Sequence, residues 1–276
     1  MRFMVLTSIV FILACKSTDD DGQQDTDTDT GPEEILSTFE MGDFRVGSLE
    51  LNTVGDGPDQ NGDSIGDNNL PNALALVDVA ISDQDFSRDG FNALIATSIE
   101  EQVLNIMLRA QHAHPTLQKS VFAGAWDADR EQYTLTEGST DADGNPMSLF
   151  EGSFSSQTTF RVQADDAVLP VTFIIEDAPY PVPLTGAVMQ GELDANTSVG
   201  QISGVIPAAE MVENVIAPMI PEEGASGLTK SEILELVTNL TTNETLMDVQ
   251  FDDGTRGISA AFTYSASSAT IAEESE

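Results

Sequence analysis

Leu184-Thr-Gly-Ala-Val-Met-Gln-Gly-Glu-Leu193, then Asp194-Ala-Asn196, then Val199-Gly-Gln-Ile-Ser-Gly-Val-Ile206 set the pattern of the chain. Two runs of strand length flank a short group of turn formers, the pattern of adjacent strands. Working outward, the same pattern recurs. Ser120 to Trp126, Gln132 to Thr136, Gln157 to Gln163 and Val168 to Ile175 read as strands, as does a last one near Gly257 to Tyr264. Asp127-Ala-Asp129, Asp143-Gly-Asn145-Pro146 and Asp165-Asp166 supply the turns between them. Asp252-Asp253-Gly254 reads as a further turn. Toward the N-terminus, Phe44, Val46, Leu49 and Leu51 roughly alternate as a first strand, with Gly47 placed for a bulge.

Helices interrupt this pattern. Pro71 opens one in which Ala73, Leu74, Leu76 and Val77 lie near one face, and Asp89 to Gln102 carries Phe91, Leu94, Ile95 and Ile99 at helical spacing. A third starts at Pro207 and buries Met211, Val212, Val215 and Ile216. A fourth opens on the capping box Thr229-Lys230-Ser231-Glu232 and buries Ile233, Leu234, Val237 and Leu240. Between the second and third, Leu104, Ile106, Leu108 and Ala110 alternate like a strand although their composition favours helix; the alternation is taken as decisive. The expected class is mainly β (α+β). The most economical architecture is an antiparallel β-sandwich, of which a jelly roll is one form, with peripheral helices covering its ends.

The chain organises into four segments. Residues 1–14 carry Arg2 and a short apolar run, the marks of a removable export signal rather than of a spanning helix, which needs about 20 apolar residues. Ile12-Leu13-Ala14-Cys15 resembles a lipobox, and that resemblance implies acylation at Cys15, the single cysteine of the chain. Lys16, standing where an aspartate would be a retention signal, implies onward transport to the outer membrane. Residues 15–34 then form an acidic, low-complexity tether with no large apolar residue from Lys16 onward. Residues 35–271 form one β-rich domain, and 272–276 an acidic tail.

The chain has 10 basic and 47 acidic residues and a formal charge of −37. Arg2 is the only charged residue among residues 1–14, so the processed chain would hold 9 basic against 47 acidic residues, a formal charge of −38. Such a field repels nucleic acid and anionic lipid, so membrane attachment is expected through acyl chains. It also attracts divalent cations.

One stretch carries ion-binding chemistry: Asp59-Gln60-Asn61-Gly62-Asp63-Ser64-Ile65-Gly66-Asp67-Asn68. Calcium takes six to eight oxygens, and Asp/Asn at alternate positions on a tight turn supply them. The segment resembles bacterial Asp-x-Asp-Gly-Asp-Gly-Ile-Pro-Asp repeats related to thrombospondin calcium repeats and to EF-hand loops. That resemblance implies ligands from Asp59, Asn61, Asp63 and Asp67 and the Ile65 carbonyl, with the Ile65 side chain as an apolar anchor. Ser64 and Leu70 depart from the pattern, at the turn glycine and at the closing acidic ligand. A polar surface loop explains the same residues.

Other constellations are sparser. Asp141, Asp143 and Asn145 read as a hairpin turn. His112 and His114 would share one strand face, yet no third metal ligand accompanies them. The 47 acidic residues leave any pair of glycosidase carboxylates unassigned. Trp126, Tyr133 and Tyr180 suit sugar stacking and core packing equally. Lipobox, acidic Asp/Thr tether, Asp/Asn/Gly loop and Asn72-Ala73-Leu74 together resemble outer-surface lipoproteins of myxobacteria and related bacteria. The resemblance implies a location and no reaction. Two roles follow as expectations. The first is a lipid-anchored envelope protein with a structural or adhesive role toward glycan or envelope protein, stiffened by calcium. The alternative is a secreted-type hydrolase acting on polysaccharide or peptide.

Overall fold

The computed structural model describes residues 41–63, 65–80, 85–113, 115–136, 139–140, 145–146, 148–170, 182–240 and 246–272. The chain divides into two units, Met1–Glu34 and Ile35–Glu276, and every described residue belongs to the second. The export signal, Cys15, the tether, Ser64, His114, Asp141, Asp143, Tyr180 and residues 273–276 lie outside the described residues.

The described residues form ten strands: β1 (Met41–Leu51), β2 (Ile106–Ala113), β3 (Thr116–Asp127), β4 (Gln132–Leu135), β5 (Ser148–Phe154), β6 (Thr159–Leu169), β7 (Val182–Leu193), β8 (Thr197–Pro207), β9 (Val249–Gln250) and β10 (Arg256–Ser268). Neighbours run in the order β1-β2-β3-β5-β6-β7-β8-β10, and β10 pairs again with β1. All these pairings are antiparallel. The result is a closed eight-stranded barrel, with β4 added to the outlying end of β3 and β9 to the start of β10.

Closure overturns the expected β-sandwich. Alternation along a strand says which side chains face a core, and that requirement is the same for two stacked sheets and for one sheet closed on itself. What separates them is the pairing of the first strand with the last. Phe44 stands opposite Ser268 and Leu51 opposite Phe262, more than 200 positions away, and no local pattern encodes that contact. The bulge expected at Gly47 is present: the β1–β10 register shifts between Val46 and Ser48.

Local structure differs from the expected pattern at two strands. β6 continues through Asp165-Asp166, which were expected to turn: both are exposed, and the buried positions resume at Ala167 and Leu169. Val168 and Leu169 thus belong to the end of β6, and residues 171–175 of the strand expected at Val168 to Ile175 lie outside the described residues. β5 was missed: Gly152 and Ser153 dilute its apolar signal, though Phe150 and Phe154 are buried. The alternation at Leu104 to Ala110 prevailed over helical composition, since β2 pairs with both β1 and β3.

The helices gather at one end of the barrel. α1 (Leu70–Ala80) and α2 (Arg88–Glu100) connect β1 to β2. α3 (Ala208–Glu210) continues through a π turn (Met211–Ile216) and a 3-10 turn (Ala217–Met219), and α4 (Lys230–Leu240) follows before β9. Leu70, Leu74 and Val77 of α1, Phe91 and Ile95 of α2, and Ile233 and Val237 of α4 join the same core as the lumen residues. The opposite end is closed by short hairpins, among them β7–β8, where Asp194 accepts from the N–H groups of Asn196 (2.7 Å) and Thr197 (2.8 Å). Those bonds hold the Asp194 carboxyl below its ordinary range.

The barrel wall is apolar inside and polar outside. Phe44, Leu108, Leu117, Phe150, Phe160, Met189, Ile202 and Phe262 fill the lumen. Outward positions carry Gln111, Gln118, Glu151, Arg161, Gln163, Glu192 and Thr263. A membrane-spanning barrel presents the reverse, an apolar outer band about 25 Å tall. No helix among the described residues is long and apolar enough to cross a membrane.

Candidate functional site

The Asp59–Asp67 loop leaves the end of β1 and returns to the start of α1 along the edge of β10 that β1 has vacated. Its two limbs approach closely: a Cβ on Gly57 would fall 2.0 Å from the Asp67 carbonyl oxygen, so only glycine fits there. Asn-Gly at 61–62 turns with Gly62 at φ +83°. The acidic side chains build the loop by accepting from its own backbone. Asp59 Oδ1 accepts from Gly62 N (2.6 Å), Asn61 Oδ1 from Asp63 N (2.9 Å) and Asp63 Oδ1 from Ile65 N (2.8 Å). Asp67 Oδ2 accepts from Gln60 N (2.6 Å) and Asn61 N (3.1 Å).

Of the expected ligands, Asn61 and Asp67 are thus brought together, while Asp59 and Asp63 serve their own turns. Among the described residues no three His, Cys, Asp or Glu side chains form a group able to hold a metal ion. Ile65 is 65% exposed and anchors nothing. Asp67 is nearly buried, and burial raises its proton affinity; Asp248 and Asp63 nearby raise it further, against the lowering effect of the Gln60 and Asn61 N–H groups.

What ties the loop down is amide chemistry. Asn68, almost wholly buried, donates through Nδ2 to the carbonyls of Asn52 (2.9 Å) and Thr53 (3.0 Å) and accepts at Oδ1 from Ala261 N (3.1 Å). It thereby occupies the ladder position on β10 that β1 gives up. Asn69 donates to the Leu246 carbonyl (2.7 Å), and Thr263 Oγ1 donates to Asn52 Oδ1 (2.7 Å).

A second site lies inside the barrel and was not legible as one. Lys119 projects inward from β3 between Leu117 and Val121, at 0% exposure. Around the barrel, β8 stands four strands from β3 in either direction, so the two walls are opposite. The Lys119 side chain crosses that distance: Nζ donates to Ser198 Oγ of β8 (2.7 Å) and to Tyr264 Oη of β10 (3.1 Å). It also lies 4.2 Å from the Phe160 ring centroid and 5.4 Å from that of Tyr264. Room for these rings comes from Gly191 and Gly200, which face each other across β7 and β8 in the row Phe160-Gly191-Gly200-Tyr264. Among the described residues no carboxylate shares the site, and burial pulls the amine down to about 7. Burial likewise pushes the Tyr264 phenol well above its ordinary value. The available signal was parity: Lys119 falls on the inward register of Leu117 and Val121.

The cluster of amine and two hydroxyls has the composition of a Ser–Lys hydrolytic pair. Ser198 and Lys119 are both at 0% exposure, however, and a substrate carbonyl needs contact with the nucleophile. His112 sits on β2, half-buried, with its ring edge-on to Phe154 at 5.7 Å. Trp126 and Tyr133 contact each other at 4.8 Å on the outer face, where Tyr133, Met107, Phe122 and Ile271 form a small separate core. That core accounts for Tyr133 as packing. A half-open depression of about 450 Å³ lies beside it, lined by Arg109, Gln111, Gln118, Phe122 and Leu149 among others. Comparison of the chain with protein-family models, with curated proteins and with solved structures found no match.

Proposed function

We propose that the chain is a lipid-anchored cell-envelope protein of the bacterial outer membrane, holding a filled β-barrel in water for structural or adhesive contact. The observation that carries this reading is the polarity of the barrel. Its wall is polar outside and its lumen is occupied by its own side chains, which supports a barrel held in water rather than one that crosses a bilayer through its strands. Attachment then falls to acyl chains at Cys15, because a chain of formal charge −37 offers anionic lipid no basic patch. Contacts with glycan or envelope protein would use the outer wall, where amide and hydroxyl side chains predominate. Replacing Cys15 by serine (Cys15→Ser) tests the reading: the protein should move from the membrane fraction to the soluble fraction. Unchanged membrane fractionation would contradict it.

Calcium at the Asp59–Asp67 loop belongs to the same proposal. Support comes from Asp67, a nearly buried carboxyl whose raised proton affinity reflects burial and the negative neighbours Asp248 and Asp63, an environment that a divalent cation would relieve. Binding would draw Asp59, Asn61 and Asp63 away from their turn N–H partners. Titration calorimetry on chelator-stripped protein should show binding heat, and millimolar calcium should raise the melting temperature. No heat and no thermal shift would remove calcium from the account.

A further inference from the structure

A lysine wholly buried without a carboxylate is costly, because its charged form loses its hydration and gains only two neutral hydroxyls and ring faces in return. Lys119 is in that position, and its side chain links opposite walls of the barrel near the hairpin end. We propose that Lys119 is a proton-operated strut: uncharged, it braces β3 against β8 and β10 from within the lumen, and on gaining a proton it favours opening of the hairpin end that would rehydrate it.

The surrounding elements present little else that titrates. β2 contributes Ala110 and β5 contributes Phe150 as the direct partners of Lys119, β6 contributes Phe160, and β8 contributes Ser198. Among the described residues Tyr264 of β10 is the titratable group in contact, and its phenol stays protonated since burial pushes it up. His112 of β2, half-buried at the same end, pairs with Leu117 rather than with Lys119. The charged residues of the adjoining strands, Arg109, Glu151, Arg161 and Glu192, occupy the outward register.

The direction follows from linkage. The buried amine titrates near 7, an unfolded or opened lysine near its usual value of about 10.5. Between those limits the open state binds more protons, so bracing strengthens as pH rises and weakens as it falls toward 7. For one such group the opening constant should be about thirtyfold larger at pH 6 than at pH 8.5.

Hydrogen exchange on the full chain tests this, after correction for intrinsic rates. Amides of residues 117–121 and 198–202 should show opening about thirtyfold more frequent at pH 6 than at pH 8.5 in the wild type, and that dependence should vanish in Lys119→Met. Equal opening at both values in the wild type would overturn the proposal, as would the same dependence persisting in the variant. A second measurement does not rely on the variant. In protein carrying lysine labelled with carbon-13 at Cε, one resonance should titrate near neutrality. Titration of every lysine above about pH 9.5 would also overturn it.

Discussion

Asn68 shows how one side chain can stand in for a strand. Where β1 ends, the Ala261 N–H on β10 would lack a partner inside the protein, and the Asn68 amide supplies one while tying down the carbonyls of Asn52 and Thr53. Removing that amide strands one donor and two acceptors in a nearly dry place. Asn68→Ala should therefore cost about 3 kcal/mol, a value set by unsatisfied groups rather than by lost area. Denaturant unfolding would check it; a loss below about 0.5 kcal/mol would mean that water reaches the site. The sequence marked this region for its oxygens, and rightly placed Asn61, Asp63 and Asp67 on one tight loop. It could not reveal that Asn68 and Asn69 fasten the loop to β10 and to Leu246, since those partners are about 180 to 190 positions away. Lys119 was hidden for a related reason. Its inward register is readable from Leu117 and Val121, but Ser198, Phe160 and Tyr264 meet it only once the barrel has closed.

At the scale of elements, local chemistry was most informative where caps and turns fix the backbone. The capping box at Thr229 forms as read: Thr229 N and Oγ1 both donate to Glu232 Oε2 at 2.8 Å, and Glu232 N donates to Thr229 Oγ1 at 3.3 Å. Thr229→Ala should lower stability by about 1 kcal/mol, measured by thermal or denaturant unfolding, with Thr229→Ser recovering most of it. An unchanged stability would mean that α4 is held by Ile233 and Val237 alone. The Asp194 turn and the bulge at Gly47 were legible on the same local grounds. β5 was not, because Gly152 is required by space rather than by turn chemistry: a Cβ there would lie 2.2 Å from the Arg161 carbonyl oxygen on β6. A glycine demanded by a neighbouring strand looks, from sequence, like a break in the strand that carries it.

For the whole molecule, the proposed division of labour is between a barrel whose wall is polar outside and a leader that would face lipid. The apolar-in, polar-out wall is readable strand by strand, whereas its closure into one sheet instead of two is not. Sandwich and barrel bury the same alternate residues, and β1 pairing with β10 is the long-range event that distinguishes them. Closure also removes the exposed edges that an open sheet must protect. With the barrel wall unsuited to hydrocarbon and the surface strongly acidic, the proposed location depends on acylation of Cys15. Mass spectrometry of the N-terminal peptide from detergent-extracted protein measures that directly. The account predicts a chain beginning at Cys15 and carrying a thioether-linked diacylglycerol, whereas an unlipidated peptide, or one that retains residues 1–14, would contradict it.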